Sequence, residues 1–276
     1  MLPNEVLEKI NGNFNQSIVV YVSSSTSNTP PDRCAVFGLR WFGPRNEMYM
    51  CGHGTLAAAE AIFCRLDVTE NITTLQFETL SGTLTAHRIG DQISLELPAG
   101  TTVSASTEEK AVLEGIFACA LAKPAVNIRY IGYGGPGFSN YLLVEVNEAE
   151  KLSEWWPNVD HFAELAPCMQ ILVVTSAAQA KGIAYETRMF APTISVREDH
   201  ICGATHCLNA PYWAAKVQDI HVDEGYTDGK LQHAKAVSVC SSDIWVSYFA
   251  VKNRVQIRGN VKHVAVGMLE LTDVVV

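Results

Sequence analysis

Arg-Trp-Phe-Gly-Pro at residues 40–44, followed by Met-Cys-Gly-His-Gly-Thr at residues 50–55, is the stretch that decides the fold of this 276-residue chain. A related pair occurs later, where Arg-Met-Phe-Ala-Pro at residues 188–192 precedes Ile-Cys-Gly-Ala-Thr at residues 201–205. Each time, an Arg-x-Phe-x-Pro segment is followed by a Cys-Gly step that opens a run of small, helix-forming residues. The repetition predicts two related halves, each with one cysteine at the N-terminus of a helix.

Strand-like alternation surrounds both Cys-Gly steps. Strands are predicted at residues 17–24, 35–42, 74–77, 82–87, 92–97, 128–133, 141–146, 171–175, 183–190, 237–240, 255–259 and 262–271. Helices are predicted at residues 4–10, 54–65, 108–121 and 202–216. Strands around one internal helix in each half favour an α+β fold over the βαβ alternation of a nucleotide-binding sheet.

Domain organisation follows from the same repeat. Pro-Ala-Gly at residues 98–100 and the Thr/Ser-rich residues 101–107 have the composition of a linker. We expect an N-terminal half over residues 1–104 and a C-terminal half over residues 105–260. Residues 261–276 are expected to return to the first half as a strand.

Composition and charge narrow the classes of partner. The formal net charge of −9 and the pI near 5.4 argue against nucleic-acid binding, which requires a basic face. The sequence contains no run of eighteen apolar residues, so we expect no membrane span. It also shows no basic segment followed by an apolar core, the pattern of a secretory signal, so we expect a cytoplasmic protein. Eight cysteines without a Cys-x-x-Cys spacing are typical of reduced thiols, and we expect neither a metal nor a cofactor.

The ordered set of motifs resembles the PhzF-like (phenazine biosynthesis-like) proteins, within the wider fold of diaminopimelate epimerase and proline racemase. The segments that carry the resemblance are residues 39–44, 50–59, 78–84, 188–192, 198–206, 255–260 and 267–271. The resemblance implies two pseudo-symmetric domains, each a barrel-like β-sheet wrapped around a central helix, with the active site in the cleft between them. It also implies an isomerase of small molecules, and it suggests a homodimer.

This chain departs from the family pattern in three respects. Family members typically have a further strand segment before the first stretch matched here, so we expect an abbreviated first domain. The family's catalytic glutamate is matched by Gln16, and an amide cannot accept and return a proton at neutral pH. We expect Gln16 to bind the substrate instead. Cysteines in both halves, Cys51 and Cys202, match the arrangement in the racemases and epimerases of this fold.

Cys51 and Cys202 are the predicted catalytic bases. Inverting a carbon next to a carboxylate requires a base on one face and an acid on the other, which a thiolate and a thiol supply. A helix N-terminus favours the thiolate, its first amides bind anions, and glycines let the backbone approach a substrate closely. The predicted substrate-binding residues after the two cysteines are Gly52, Gly54, Thr55, Gly203 and Ala204. The alternative is that both cysteines are small buried hydrophobic residues.

His53 and Asp199 match a histidine and an aspartate that line the active site of the family, and we expect both to be catalytic. A carboxylate near Cys202 disfavours a thiolate there, so Asp199, with His53 opposite, is the alternative proton carrier. The competing structural interpretation of Asp199 is an acidic residue that the helix dipole favours.

Two further positions are assigned from their local sequence. Ser81 and Gly82 are candidate contacts for an anionic group of the substrate, and the competing interpretation is a plain β-turn. His206 and Cys207 fall within the second helix, and we assign them to packing.

The predicted function is a cofactor-independent epimerase or racemase, which moves a proton next to a carbonyl or carboxylate of a small, anionic, amino-acid-derived metabolite. One alternative is a hydrogen-shift isomerase or cyclisation catalyst that uses Asp199 and His53. Another is a non-catalytic member that binds a small molecule, because Gln16 replaces the glutamate of the family.

Overall fold

The computed structural model describes residues 3–14, 18–24, 33–43, 47–65, 71–165, 169–220, 229–238 and 240–268. The chain divides into two compact units, with boundaries at Glu96/Leu97 and at Ile257/Arg258. The sequence places these boundaries after residues 104 and 260. Residues 97–104 belong instead to the second unit, because a short strand within them pairs with another strand of that unit.

The first unit contains two helices and six strands in the described part of the chain. They are α1 (Asn4–Phe14), β1 (Val19–Ser24), β2 (Cys34–Phe42), β3 (Glu47–Met48), α2 (Gly52–Phe63), β4 (Thr74–Thr79), β5 (Gly82–Ile89) and β6 (Gln92–Pro98). Strand β2 pairs antiparallel with β1 and β3 and parallel with β4. Strand β5 then pairs antiparallel with both β4 and β6.

The core of the first unit lies on strands β2 and β4 and on helix α2. Trp41 and Phe42 of β2 and Phe77 of β4 are almost completely buried. Helix α2 adds Ala59 and Ile62, which are also buried. In the first turn of α2, Gly52, Gly54 and Thr55 are buried as well, so the start of this helix is packed against the core.

The second unit contains nine strands, β7 to β15, and two α-helices in its described residues. The end of β6 also belongs to this unit, and the end of β15 to the first. The elements from residue 102 on are β7 (Thr102–Ser104), α3 (Thr107–Leu121), β8 (Ile128–Gly134), β9 (Tyr141–Val146), β10 (Ile171–Ala177), β11 (Tyr185–Ala191), β12 (Val196–Asp199), α4 (His206–Ile220), β13 (Gln232–Ala236), β14 (Ser242–Phe249) and β15 (Arg254–Gly259). The strand order is β7-β8-β9-β10-β11-β13-β14-β15, and β12 also pairs with β11. Short 3₁₀ helices join several of these elements.

Aromatic rings form the centre of the second unit. Phe162 lies between Phe117 of α3 and Phe190 of β11, with 5.2 Å between ring centroids on each side. Helix α3 begins with a capping box, in which the Glu109 amide donates to the Ser106 hydroxyl and the Ser106 amide donates to the Glu109 carboxylate. Such a cap fixes where a helix starts.

The two units repeat one arrangement of strands. In the first unit, β2 is antiparallel to β1 and β3 and parallel to β4; in the second, β11 is antiparallel to β10 and β12 and parallel to β13. Helix α2 follows β3, and helix α4 follows β12. The repeat seen in the Cys-Gly motifs is therefore also a repeat of strand pairing.

Three sequence predictions need correction, and strands β3, β12 and β14 were not predicted. The strand predicted at residues 237–240 lies at Gln232–Ala236. The linker predicted at residues 101–107 contains β7 and the first residue of α3. The strand predicted at residues 262–271 is not found over residues 262–268, which are exposed and pair with no strand in the described part of the chain. Residues 269–271 lie outside the described residues.

Two further findings concern cysteines and membranes. The seven cysteines in the described part of the chain are thiols, not disulfides. Among the same residues, no helix combines the length and the apolar character that crossing a bilayer requires.

Candidate active site

Cys51 caps the N-terminus of helix α2. Its backbone is extended, with φ −144° and ψ 106°, and its Sγ accepts a hydrogen bond from the Gly54 amide at 3.4 Å. The Cys51 carbonyl accepts hydrogen bonds from the amide and the hydroxyl of Thr55, at 3.1 and 2.7 Å. The sulfur atom therefore lies among the first amides of the helix, where backbone dipoles favour negative charge.

The thiol of Cys51 lies close to the imidazole of His53 and to the closely packed Gly54. Its Sγ lies 3.8 Å from Nδ1 and 3.7 Å from Nε2 of His53. A β-carbon at Gly54 would lie 2.9 Å from Cγ2 of Val20 and 3.0 Å from Sγ of Cys51. Only glycine fits at residue 54 without displacing a neighbour, and an imidazole stands beside the thiol as a potential proton partner.

Cys202 occupies the corresponding position in the second unit. It caps the 3₁₀ turn Gly203–Thr205, which leads directly into helix α4. The Cys202 carbonyl accepts hydrogen bonds from the amide and the hydroxyl of Thr205, at 3.3 and 2.8 Å. A threonine thus holds the carbonyl of the cysteine in each unit, and both thiols stand at the start of a helix.

A small pocket lies at the start of helix α4. Its lining residues are Thr187, Arg188, Met189, Asp199, Cys202, Thr205, His206 and Ala236. An Asp199 carboxylate oxygen accepts a hydrogen bond from the Ile201 amide at 3.1 Å, which shapes the turn before Cys202. Asp199 and Cys202, both predicted from the sequence, therefore contribute to one pocket.

Equivalent arginines brace the strand before each cysteine. Arg40 makes two hydrogen bonds with Glu47, at 2.7 and 2.6 Å, and Arg188 makes two with Glu198, at 2.7 and 2.9 Å. Each guanidinium also lies over the ring of the phenylalanine two residues later, 5.0 and 5.1 Å from its centroid. These paired contacts hold β2 against β3 and β11 against β12, and so fix the loops that lead to the cysteines.

One group of three potential metal ligands lies together in the described residues: Glu60, Cys64 and His263. Arg88 donates hydrogen bonds to Glu60 at 3.2 Å and to Cys64 at 3.7 Å. Its positive charge beside two of the ligand atoms opposes cation binding, and we assign this group no metal.

A family model described as "Phenazine biosynthesis-like protein" matches residues 2–267. The chain belongs to this family. The predicted resemblance to PhzF-like proteins is thereby confirmed.

Curated relatives carry the same family name or the name isomerase. The human phenazine biosynthesis-like domain-containing protein is 28% identical over 97% of this chain and 89% of its own length. The mouse phenazine biosynthesis-like domain-containing protein 2 is 32% identical over 66% of this chain, and an uncharacterized isomerase of Halalkalibacterium halodurans is 28% identical over 66%. The chain spans 63% of the length of each of these last two relatives.

Solved structures share the fold. A putative PhzC/PhzF phenazine biosynthesis protein of Clostridium difficile superimposes with a TM-score of 0.72 at 24% identity, over 98% of this chain and 90% of that one. A probable proline racemase of Agrobacterium radiobacter, solved with bound carbonate, gives 0.58 at 12% identity, over 91% and 76%. The predicted α+β fold of the diaminopimelate epimerase and proline racemase type is confirmed.

The predicted site residues of this PhzF-like chain fall into separate groups. The group at the start of α2 is Cys51, Gly52, His53, Gly54 and Thr55, and the group before α4 is Asp199, Cys202, Gly203 and Ala204. Gln16 lies outside the described residues.

Ser81 lies in the turn between β4 and β5, and Gly82 is the first residue of β5. The Ser81 amide donates to the Thr79 hydroxyl at 3.1 Å, and the two hydroxyl oxygens are 2.9 Å apart. Gly82 has a φ of 92°, which favours glycine. The turn therefore explains both residues without a substrate.

His206, which the sequence assigns to packing, is completely buried. It also lines the same pocket as Asp199 and Cys202. Its position four residues after Cys202 is the signal in the sequence that places it near that cysteine.

Proposed function

We propose that this protein is a cofactor-independent isomerase that epimerises or racemises a carbon next to the carboxylate of a small, anionic, amino-acid-derived molecule. The observation that carries the proposal is the repeated placement of a cysteine as an N-cap. Cys51 caps helix α2, and Cys202 caps the 3₁₀ turn that leads into α4. The isomerase names of several relatives support the general class.

The proposed chemistry uses two thiols on opposite faces of the substrate. The thiolate of Cys51 removes the α-proton and becomes a thiol, while the thiol of Cys202 donates its proton to the other face and becomes a thiolate. The reverse reaction starts from the opposite protonation state. No atom other than hydrogen changes partner, so the step balances without an oxidant or a reductant.

Backbone amides supply the anion binding that this reaction needs. A carbanion next to a carboxylate is stabilised when hydrogen-bond donors face the oxygens on which its charge accumulates. The first amides of α2 and of the 3₁₀ turn at Gly203–Thr205 are donors of this kind.

A second candidate function is a hydrogen-shift isomerase or cyclisation catalyst in which Asp199 carries the proton and His53 acts opposite. Asp199 lines the pocket beside Cys202, and a carboxylate there disfavours a thiolate. The products separate the candidates: a hydrogen shift moves a double bond or closes a ring, whereas epimerisation inverts a stereocentre.

The deciding experiment incubates the protein in D₂O with the L and D forms of amino acids and 4-hydroxyproline. Proton NMR follows loss of the α-proton, and chiral chromatography follows inversion. We expect deuterium at the α-carbon together with inversion, and loss of inversion in Cys51→Ser and Cys202→Ser. Cys119→Ser is the matched control, because Cys119 is an exposed thiol on α3.

Three results would count against the two-thiol mechanism. Inversion that survives in either serine variant excludes a two-thiol mechanism. A shifted double bond that depends on Asp199 favours the second candidate. Tight ligand binding without any proton exchange identifies a non-catalytic binding protein.

A further inference from the structure

His206 is a buried histidine that lines the pocket at the start of α4, and only one of its two ring nitrogens has a hydrogen-bond partner among the described residues. Its side chain is 0% exposed. Nδ1 lies 2.7 Å from the hydroxyl oxygen of Tyr185, while Nε2 has no hydrogen-bond partner among the described residues. A buried polar atom without a partner costs about 1–3 kcal/mol, so native proteins rarely leave one without a ligand or a water.

The partner on Nδ1 determines which ring nitrogen of His206 carries the proton. Tyr185 is itself fully buried, and burial raises its pKa, so its hydroxyl keeps its proton. If that hydroxyl donates to Nδ1, the imidazole carries its own proton on Nε2, and the Nε2–H group is the one group without a partner. If Nδ1 carries the proton instead, both the tyrosine proton and the Nε2 lone pair lack a partner. The second arrangement costs more free energy.

The pocket that His206 lines accepts a single polar group. Its volume is about 10 Å³, close to the minimum that holds one water molecule. Asp199, Cys202 and Thr205 line it together with His206. An Nε2–H donor at the start of a helix, in a pocket of this size, suits one oxygen atom of a carboxylate or a carbonyl.

We propose that the Nε2–H of His206 is a substrate-binding donor, which holds a carboxylate or carbonyl oxygen of the ligand in the pocket at the start of α4. The identity of that ligand as a small carboxylate rests on the proposed function. The role differs from that of a base, because this imidazole donates as a neutral group. Burial lowers the pKa of His206 to about 4, which keeps the ring neutral at physiological pH.

The test uses formate, the smallest carboxylate, as the probe. The full chain is labelled with ¹⁵N-histidine, and formate is titrated against sodium chloride at equal ionic strength. We expect the Nε2 resonance of His206 to show a protonated nitrogen and to move saturably with formate. We expect the same tautomer across pH 5.5 to 8, since the ring titrates below this range.

Paired variants separate the pocket contact from packing. His206→Asn keeps a nitrogen close to the position of Nδ1 and loses Nε2, whereas His206→Gln places its amide close to the position of Nε2. A hydrogen bond to a charged group corresponds to roughly tenfold or more in affinity. Saturation-transfer NMR on formate should therefore show binding at least about tenfold weaker in His206→Asn and much less changed in His206→Gln. His161→Asn, at an exposed position, should match the wild type.

Each outcome decides the proposal. Absence of a saturable shift in the wild type overturns it, and that measurement needs no folded variant. Unchanged formate affinity in a folded His206→Asn also overturns it. If formate shifts the resonance but the protein exchanges no α-proton, the role of His206 is supported and the epimerase function is overturned. If the protein exchanges α-protons but formate causes no shift, the epimerase function is supported and the role of His206 is overturned.

Discussion

Gly54 is the residue whose substitution tests the packing around Cys51 most directly. A methyl group there would lie 2.9 Å from Val20, 3.0 Å from Cys51 and 3.1 Å from Trp41. Overpacking of this kind destabilises a protein by about 1–3 kcal/mol, so we expect Gly54→Ala to lower the melting temperature by several degrees.

The control for Gly54→Ala is Gly115→Ala, in the exposed middle of α3. A β-carbon at Gly115 meets nothing within 4 Å, and alanine favours a helix over glycine by about 1 kcal/mol. Thermal unfolding should therefore show a small gain in stability. A gain of similar size for Gly54→Ala would contradict the close contacts at the start of α2.

His206 gives a prediction about acid stability. Burial lowers its pKa to about 4, whereas an unfolded histidine titrates near pH 6.5. Below pH 6.5 the unfolded chain binds more protons than the native chain, so stability falls as the pH drops from 6.5 towards 4. We expect His206→Asn to lessen this loss by up to about 3 kcal/mol, measured by urea unfolding at a series of pH values.

The comparison uses the slopes of stability against pH rather than absolute stabilities, because the variant also loses packing. Asp199 and Cys202 line the pocket with His206, while Tyr185 and Cys207 are buried beside it. A negative charge on Asp199 would favour the protonated imidazole and reduce the effect. Parallel profiles for the two proteins would show that His206 is not buried as a neutral ring.

At the scale of single residues, the sequence draws attention to cysteines that occur in repeated motifs, but not to His206, which occurs in one motif only. Cys51 and Cys202 stand out because each follows an Arg-x-Phe-x-Pro segment. His206 has no counterpart in the first motif, and a histidine within a helix is ordinarily packing. Only a buried Nε2 without a hydrogen-bond partner among the described residues, on a residue that lines a pocket, distinguishes it. That observation requires coordinates.

At the scale of elements, the equivalent arginines of β2 and β11 are expected to differ in energetic weight. Arg188 is 4% exposed and its partner Glu198 12%, whereas Arg40 is 22% exposed. Arg188 also donates to the carbonyls of Leu152 and Trp155, at 3.2 and 2.7 Å. We expect Arg188→Met to cost about 3–5 kcal/mol, because it leaves the carboxylate of a buried pair uncompensated.

The matched variant Arg40→Met should cost less, about 1 kcal/mol, because water screens a more exposed pair. Arg197→Met is the control, since Arg197 and its partner Asp160 are 64% and 70% exposed. The melting temperature should fall most for Arg188→Met, less for Arg40→Met and least for Arg197→Met. Equal losses of stability in Arg188→Met and Arg40→Met would contradict this prediction, because the two arginines would then contribute equally despite their different burial.

The elements that the sequence predicted well are those with a local signal. Strands β9 and β10 are runs of buried apolar residues, and α3 has a Ser/Glu capping box that fixes its first turn. Strand β14 was missed because polar residues interrupt its pattern. Residues 262–268 have the composition of a strand, yet a strand forms only where a partner offers hydrogen bonds.

At the scale of the whole molecule, the two cysteines follow sets of strands that pair in the same way. The sequence foresaw the repeat from its motifs, but it could not show that β2 and β11 share the same pattern of parallel and antiparallel neighbours. Long-range pairing depends on contacts between residues far apart in the chain, which local patterns do not encode. The repeat is the reason to assign the two cysteines complementary roles rather than redundant ones.

Complementary roles predict mirror-image defects. If Cys51 and Cys202 work on opposite faces of one carbon, Cys202→Ser should lose inversion but still exchange the α-proton of one enantiomer in D₂O through Cys51. Cys51→Ser should exchange only the other enantiomer, and the double variant should exchange neither. The effects of substituting groups that act as one catalytic unit are not additive. The rate of inversion should therefore fall about as far in either single variant as in the double variant.

Proton NMR on each pure enantiomer measures exchange, and chiral chromatography measures inversion. Exchange of the same enantiomer in both single variants would place a single base on one face and exclude the two-thiol mechanism.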